Sequence, residues 1–406
     1  MAGRPGTRRR LLVLGAGPAQ LGLLEAARRR RDIEVIAVDR DPQAPGFAVA
    51  HERAVISSED EEAVDRLARA RDVDGIVSPG ADWPVGIAAR VAERIGLPHP
   101  IDARTGSIAT SKARQRDAFA AAGVPHARAL DPRDPALRFP VVVKAPDRQG
   151  QRGLALVRGR DELEAAVAAA RGESRSGTVL AEELVEGPEL TVNAVSARGE
   201  FRALTVTDRV TAEPPAFGVA LAHVWPSLHD VEPVVSVARA AVEAVGIANG
   251  PSYTQLRIGP SGPVVMEVAA RLGGGHDAEL CAAATGVDLN DLAVAAALGE
   301  SASDTLSRAS FGGESRGEGV GGAAVVFLVP PVGRLLVVEG VADAESGEGV
   351  SWVRVYRRPG HLFGPFRRGS DRAGAVLATG RDRDEALRRG RRAADAVRFR
   401  IDADPS

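Results

Sequence analysis

The sequence is short of several residue types, and each shortage excludes something. It holds one cysteine, Cys281, among 406 residues, so neither an intrachain disulfide nor a cysteine metal cage can form, which suits a reducing cytoplasm. Aromatic residues make up 4% and form no stacking pattern, which argues against a nucleic-acid binder. Neither charge predominates: 52 basic against 54 acidic side chains leave a net charge of −2, with no electrostatic footprint for nucleic acid or a membrane surface. No apolar run approaches the ~20 residues of a transmembrane helix. The stretch after Arg8-Arg9-Arg10 imitates a secretion signal, but Gly15, Gly17, Pro18, Gln20 and Glu25 break it, and it reads as strand, turn and helix. What is present, 44% hydrophobic and 26% charged residues, is the composition of a soluble, cytoplasmic globular protein. At ~150 residues per domain the length allows two to three domains.

Lysine is almost absent: of the 52 basic residues only Lys112 and Lys144 are lysines. A GC-rich genome accounts for the many arginines, alanines and glycines. Yet a compact ammonium on a flexible stem does what a planar guanidinium cannot where it must meet phosphate oxygens as a point charge. The two survivors are therefore candidates for a phosphate site.

Through the first hundred residues, apolar runs (Leu11-Leu12-Val13-Leu14, Val35-Ile36-Ala37-Val38, Gly75-Ile76-Val77) alternate with helical stretches at 61–70 and 85–95, the pattern of βαβ units around a parallel sheet. Residues 105–122 read as one helix stopped by Gly123-Val124-Pro125, 139–144 as a strand, 147–153 as a glycine-containing loop, and 161–171 as a helix. Residues 189–210 alternate as two antiparallel strands meeting at Arg198-Gly199, and 231–245 read as a helix. Residues 253–258 and 264–269 read as a hairpin turning at 259–262. A Ser-, Gly- and Glu-rich stretch over 300–322 reads as a linker, and 323–399 as mainly strands closing with a helix at 384–397. The expected fold class is α/β followed by α+β.

Two groups of residues carry chemistry. In the first, Gly15-Ala16-Gly17-Pro18-Ala19-Gln20 opens a helix after a strand, with Asp39 ending the next strand. This is a dinucleotide fingerprint in which Gln20 replaces the third glycine, so the loop fits a small substrate as readily as a pyrophosphate. In the second, Lys112 starts a helix, Lys144 ends an apolar strand, and Gln149-Gly150-Gln151-Arg152-Gly153 supplies amides for phosphates. Leu180 to Glu189 sets carboxylates around an apolar stretch. Gln255 and Glu267 lie on the two arms of the hairpin, where their oxygens can face one Mg²⁺.

At these residues the sequence resembles the ATP-grasp superfamily over nearly its whole length, with a biotin carboxylase-like core. Residues 1–104 resemble that family's Rossmann-like pre-ATP-grasp domain. Residues 105–300 resemble the two-lobed ATP-grasp domain, with a nucleotide lobe at 105–185 and a metal and substrate lobe at 186–300; the linker spans 301–322 and a mainly-β domain 323–406. The resemblance implies that Lys112, Lys144, Gln149, Gly150 and Gly153 contact ATP. It further implies that the backbone of Glu183, Leu184 and Val185 reads the adenine with Glu182 nearby, and that Glu189 takes the ribose. Gln255 and Glu267 would hold Mg²⁺ or Mn²⁺, and Arg271, with Lys144, would steady the transferring group. Arg271, Gly274, Gly275 and His276 would touch substrate. The family's metal strand commonly reads Glu-x-Asn-x-Arg; here Ala269 stands in place of the asparagine. The segments at 323–330, 359–360 and 376–386 are similar to the C-terminal domain of bacterial L-amino-acid ligases.

The implied activity is an ATP-dependent ligation of a small carboxylic acid, such as an amino acid or natural-product acid, to an amine through an acylphosphate. Its partners are small molecules, with no nucleic acid and no membrane, and the family expectation is a homodimer. Alternatives are a purine-pathway carboxylating or glycine-ligating relative, a nicotinamide-dependent oxidoreductase using Gly15 to Asp39, and a non-catalytic ATP sensor. More ordinary roles also fit single residues: Arg271 pairing with Asp277 or Glu279, Cys281 as a small buried hydrophobe, and His276 as a packed residue. Lys144 and Glu267 are read as lying outside the core.

Overall fold

The computed structural model describes residues 8–300 and 320–402; most of the expected linker lies outside the described residues. The first sheet is parallel and four-stranded, in the order Glu52–Val55, Ile33–Asp39, Arg9–Leu14, Gly75–Val77. Leu11 to Leu14 expose no surface, because helices cover both faces of a parallel sheet and leave every side chain of its central strand in a core. The loop from Gly15 to Gln20 leaves the carboxyl end of that strand, the edge at which open α/β sheets bind ligands.

The expected helix over 105–122 is two helices, Ala103–Ala109 and Lys112–Ala122. The break has a local cause: Thr110 returns its hydroxyl to Gly106 O at 2.8 Å, and Ser111 is extended, its Oγ accepting from Arg114 N–H as an N-cap. Lys112 is thereby the first residue of a new helix. One turn on, buried Gln115 donates to Val268 O (2.8 Å) and accepts from Val268 N–H (3.0 Å), tying this helix to the strand that carries Glu267.

A small antiparallel sheet follows, in the order Ala129–Leu130, Leu180–Glu183, Val141–Lys144, Ala155–Val157, backed by the helix Arg160–Glu173. The largest sheet has eight antiparallel strands, in the order Gly262–Ala269, Gly250–Gly259, Glu189–Ala197, Glu200–Thr211, Ala220–Trp225, Gly322–Leu328, Gly374–Gly380, Val350–Val355. Its second half comes from the C-terminal segment: Gly322–Leu328 pairs directly with Ala220–Trp225, setting Val325 opposite His223. Leu190, Val192, Leu256, Val265 and Val268 pack from this sheet against Val234, Ala238 and Val242 of the helix Val231–Val245. A separate three-stranded sheet is formed by Leu362–Phe363, Gly333–Glu339 and Arg398–Asp402. No single described helix is long and apolar enough to cross a membrane.

Candidate active site

Two cavities meet at the hairpin Gly250–Gly259/Gly262–Ala269. The smaller, about 100 Å³, lies between the small and large antiparallel sheets. Lys112, Lys144, Gln149, Gly150, Glu182 to Val185, Glu189, Gln255 and Glu267 all line it, and Val142, Leu154, Phe217 and Met266 add apolar walls. The larger, about 530 Å³, opens toward the carboxyl edge of the parallel sheet. The two share Gln149 to Arg152, Gln255 and Glu267. Gly153 lines neither; a Cβ there would stand 3.1 Å from Ala170 Cα, so its glycine serves packing of the loop on a helix.

Lys144 belongs to the core after all. It is 7% exposed and ion-paired with Glu182 of the neighbouring strand, which also takes Arg116 Nε at 2.6 Å. Burial pushes the Lys144 ammonium down to about 8 against the pull of Glu182. Two cations around one carboxylate leave a net positive charge facing the cavity. Over residues 183–185, Glu183 N–H donates to Arg128 O and Val185 O accepts from Arg257, while the amides of Leu184 and Val185 bond to no described residue. Glu189 is at the cavity but already held: Gln255 Nε2 donates to it at 2.5 Å and Arg257 Nη2 at 2.9 Å, and Arg209 Nε forms an ion pair with it at 2.7 Å.

Gln255 and Glu267 stand directly opposite in the hairpin register. Since the Gln255 nitrogen is spent on Glu189, its carbonyl oxygen is left for a cation. Glu267 accepts from Lys112 Nζ at 3.0 Å; burial alone would push its pKa up, but Lys112 and Arg271 outweigh that and hold it below the usual carboxylate range. One carboxylate and one carbonyl oxygen on a cavity that also holds two lysines fit Mg²⁺, which takes few protein oxygens and completes its shell with phosphates and water. Mn²⁺ favours the same donors. Among the described residues no cluster of three His, Cys, Asp or Glu side chains forms a metal cage.

Arg271 pairs with neither Asp277 nor Glu279. Its Nε and Nη2 both meet Asp82 Oδ1 at 2.5 Å and its Nη1 donates to Leu272 O at 2.7 Å. Asp82, from the N-terminal unit, also donates its backbone N–H to Gln149 Oε1, so one residue fixes both the arginine and the glycine loop. Gly274 and Gly275 line the larger cavity, and a Cβ on Gly275 would come 2.7 Å from His223 Cε1. His276 does not reach it: its ring contacts Tyr356 Oη (2.5 Å), Glu279 (3.3 Å) and Trp352 behind the loop, so the expectation of substrate contact is not met. Burial raises the Cys281 thiol to about 12, as befits a small buried hydrophobe.

The residue at the cleft wall that spacing alone did not reveal is His223. It is 2% exposed and its Nδ1 lies 2.9 Å from Asp277 Oδ1. Burial lowers its basicity despite Asp277, whose own carboxyl falls to about 2 as His223 and Arg209 outweigh burial. The partners lie 54 positions apart, and only the meeting of strand Ala220–Trp225 with helix Asp277–Thr285 joins them. Arg209, Tyr253 and Arg372 complete this wall. At the other end, Gln20 lays its side chain across the glycine loop: a Cβ on Gly17 would meet its Oε1 at 3.0 Å, and one on Gly80 its Nε2 at 3.1 Å. Asp39 is spent capping that loop through Ala16 N–H at 2.9 Å. Gln20 thus occupies part of the space beside the loop, which borders the larger cavity.

Two lysines, a carboxylate and an amide oxygen thus line the smaller cavity, and the larger cavity adjoins it at Gln255 and Glu267. Residues 137–279 match the family model for the ATP-grasp domain, and residues 326–402 that for the L-amino acid ligase C-terminal domain 2. Over residues 137–279 the chain carries an ATP-grasp domain, the domain of ATP- and Mg²⁺-dependent ligases that form C–N bonds. It is similar to an uncharacterized protein, y4rH, of Sinorhizobium fredii (28% identical, spanning 93% of this chain and 80% of that one). It is also similar to a formate-dependent phosphoribosylglycinamide formyltransferase of Burkholderia vietnamiensis (28% identical, spanning 96% of this chain and 95% of that one). In fold it matches an L-amino acid ligase from Bacillus licheniformis with a TM-score of 0.80, at 22% identity over 98% of this chain and 99% of that one.

Proposed function

We propose that this protein joins a small carboxylic acid to an amine, spending ATP and releasing ADP and phosphate. The observation that carries the reading is the junction: the nucleotide cavity and a cleft of about 530 Å³ share Gln255, Glu267 and the glycine loop, so the γ-phosphate end of ATP meets a chamber fit for two small substrates. The acid's carboxylate oxygen attacks the γ-phosphorus, the bond to the β,γ-bridging oxygen breaks, and an acylphosphate and ADP form. The amine nitrogen then attacks the acyl carbon, and phosphate leaves as the amide bond forms.

Such a transfer asks the protein mainly for positioning and neutralisation. Lys144 and Lys112 supply point charges along the phosphates, and the glycine loop covers them and excludes water that would hydrolyse the acylphosphate. Gln255 and Glu267 would hold Mg²⁺, which would neutralise phosphate charge when bound. Arg271, locked by Asp82, faces the transferring group. His223 takes the proton of the attacking amine at its Nε2: its lowered basicity keeps it neutral near pH 7, and Asp277 fixes its ring and tautomer.

A purine-type ATP-grasp reaction is the second reading, favoured by the similarity to the Burkholderia vietnamiensis formyltransferase. ADP release from Mg-ATP with glycine and amino acids as one panel, and formate or bicarbonate with phosphoribosyl amines as another, separates the two. Release confined to the second panel refutes the first reading.

A further inference from the structure

Five arginines line the cleft: Arg40 is exposed, Arg152 lies on the glycine loop shared with the smaller cavity, and Arg209, Arg271 and Arg372 lie beyond that loop; of these last three, two are already neutralised, Arg209 by Glu189 and Arg271 by Asp82. Arg372 is not. Among the described residues no carboxylate pairs with it, its terminal nitrogens make no hydrogen bond, and its buried Nε has no acceptor. Its guanidinium carbon stands 3.7 Å from the centroid of Phe327, which meets His223 edge-on at 5.7 Å between ring centres. Gly369 and Ser370 of the same loop line the cleft beside it. Burial and the repulsion of Arg209 bring the Arg372 guanidinium down to about 10.

A desolvated cation without a counter-charge costs stability, and a site that keeps one is built to receive an anion. That anion is not the triphosphate, since Arg372 lines the cleft and not the nucleotide cavity. Nor is it the reacting carboxylate, whose place is at the junction with Gln255, Glu267 and Arg271. Arg372 lies instead one aromatic ring away from His223, on the side where the amine must shed its proton. We propose that Arg372 is the receptor for a carboxylate carried by the amine substrate, held end-on by the two terminal nitrogens, and that this contact selects such amines over uncharged ones. The proposal rests on the ligase reading above.

The fold supports this role. Stacking on Phe327 fixes the plane of the guanidinium fork, and a fork matches a carboxylate with two parallel hydrogen bonds. Phe327 sits on Gly322–Leu328, and the strand Gly374–Gly380 that follows Arg372 is its neighbour. Because Gly322–Leu328 is itself paired with Ala220–Trp225, the sheet holds the arginine at a set distance from His223. The C-terminal segment thereby contributes a specificity residue to a site otherwise built by the preceding chain.

The test offers Mg-ATP, the proteinogenic amino acids as acids, and equimolar pairs of each amino acid and its carboxamide as competing amines, with products counted by mass spectrometry. Wild-type protein is expected to favour the carboxylate-bearing amine. Arg372→Gln should reduce that ratio about 10- to 100-fold, the equivalent of one charge-assisted hydrogen-bond pair. An unchanged ratio in the variant, or no preference in the wild type, overturns the proposal. If the glutamine variant does not fold, Arg372→Lys replaces it: a point charge without the fork should cut the ratio several-fold, and an unchanged ratio again overturns it. Absence of ADP release from wild type with every pair refutes the ligase reading itself, whereas release with an unaltered ratio refutes only the role of Arg372.

Discussion

Glu182 is the shared anion of a buried trio, and it allows a sharp test of how Lys144 serves. Arg116, Lys144 and Glu182 have side chains 4%, 8% and 2% exposed. Replacing Glu182 by glutamine strands two cations in the interior, and removing one member of a buried ion pair costs about 3–5 kcal/mol. Lys144→Met is different: Glu182 keeps Arg116 at 2.6 Å, a desolvated ammonium disappears, and an unbranched apolar side chain fills its stem's volume, so the loss should stay below about 1.5 kcal/mol. At about 2–4 °C per kcal/mol, Glu182→Gln should lower the melting temperature by roughly 6–20 °C and Lys144→Met by less than about 6 °C. Activity reads the other way. Lys144→Met, although folded, loses the charge that meets the phosphates and should reduce ADP release about 10²- to 10³-fold, as losing one preorganised charge-stabilising group typically does. Thermal melts and single-turnover ADP release on both variants decide it. If Lys144→Met melts as low as Glu182→Gln, or keeps ADP release within a few-fold of wild type, the assignment of Lys144 to the phosphates is wrong.

Other outcomes follow from the same geometry. Since the free protein's Lys144 ammonium titrates at about 8, its charge is present below that pH and lost above it, so kcat/KM for ATP should fall as pH rises through about 8; a flat profile to about pH 9.5 would count against it. Glu267→Gln should raise the Mg²⁺ concentration needed for half-maximal ADP release at least tenfold, checked by Mg²⁺ titration at fixed ATP, because the carboxylate is the one anionic oxygen donor of the hairpin pair. His223→Gln should slow amide formation about 10²- to 10³-fold with ordinary amines and much less with hydroxylamine, which is largely unprotonated at neutral pH; equal losses with both would remove His223 as the base.

Much of this was legible in the sequence, and the reasons are local. Apolar runs such as 11–14, turn residues at 259–262 and the capping Ser111 act over a few positions, so the parallel sheet, the hairpin and the start of the Lys112 helix could be read directly. The residues that line the smaller cavity were legible as a group because each sits in a fixed order along the elements: Lys144 closing its strand, the glycine loop after it, Glu267 on a hairpin arm. What escaped depends on long-range meeting. The helix over 105–122 was misjudged because Thr110 turns its hydroxyl back on Gly106. Lys144 was taken as peripheral because its partners, Glu182 and Arg116, lie on other elements. His276 was taken toward substrate, whereas its neighbour in function, His223, arrives on a strand 54 residues before its own partner Asp277. Arg372 gave no signal among fifty arginines; only its unsatisfied position in the folded cleft distinguishes it.

The central claim is tested most directly by ADP and phosphate release from Mg-ATP across single acids, single amines and their pairs, with mass detection. The account predicts release that depends on a pair and a product whose mass equals the sum of the two substrates less one water. Release independent of any amine, or tight ATP binding with no release from any pair, would contradict it.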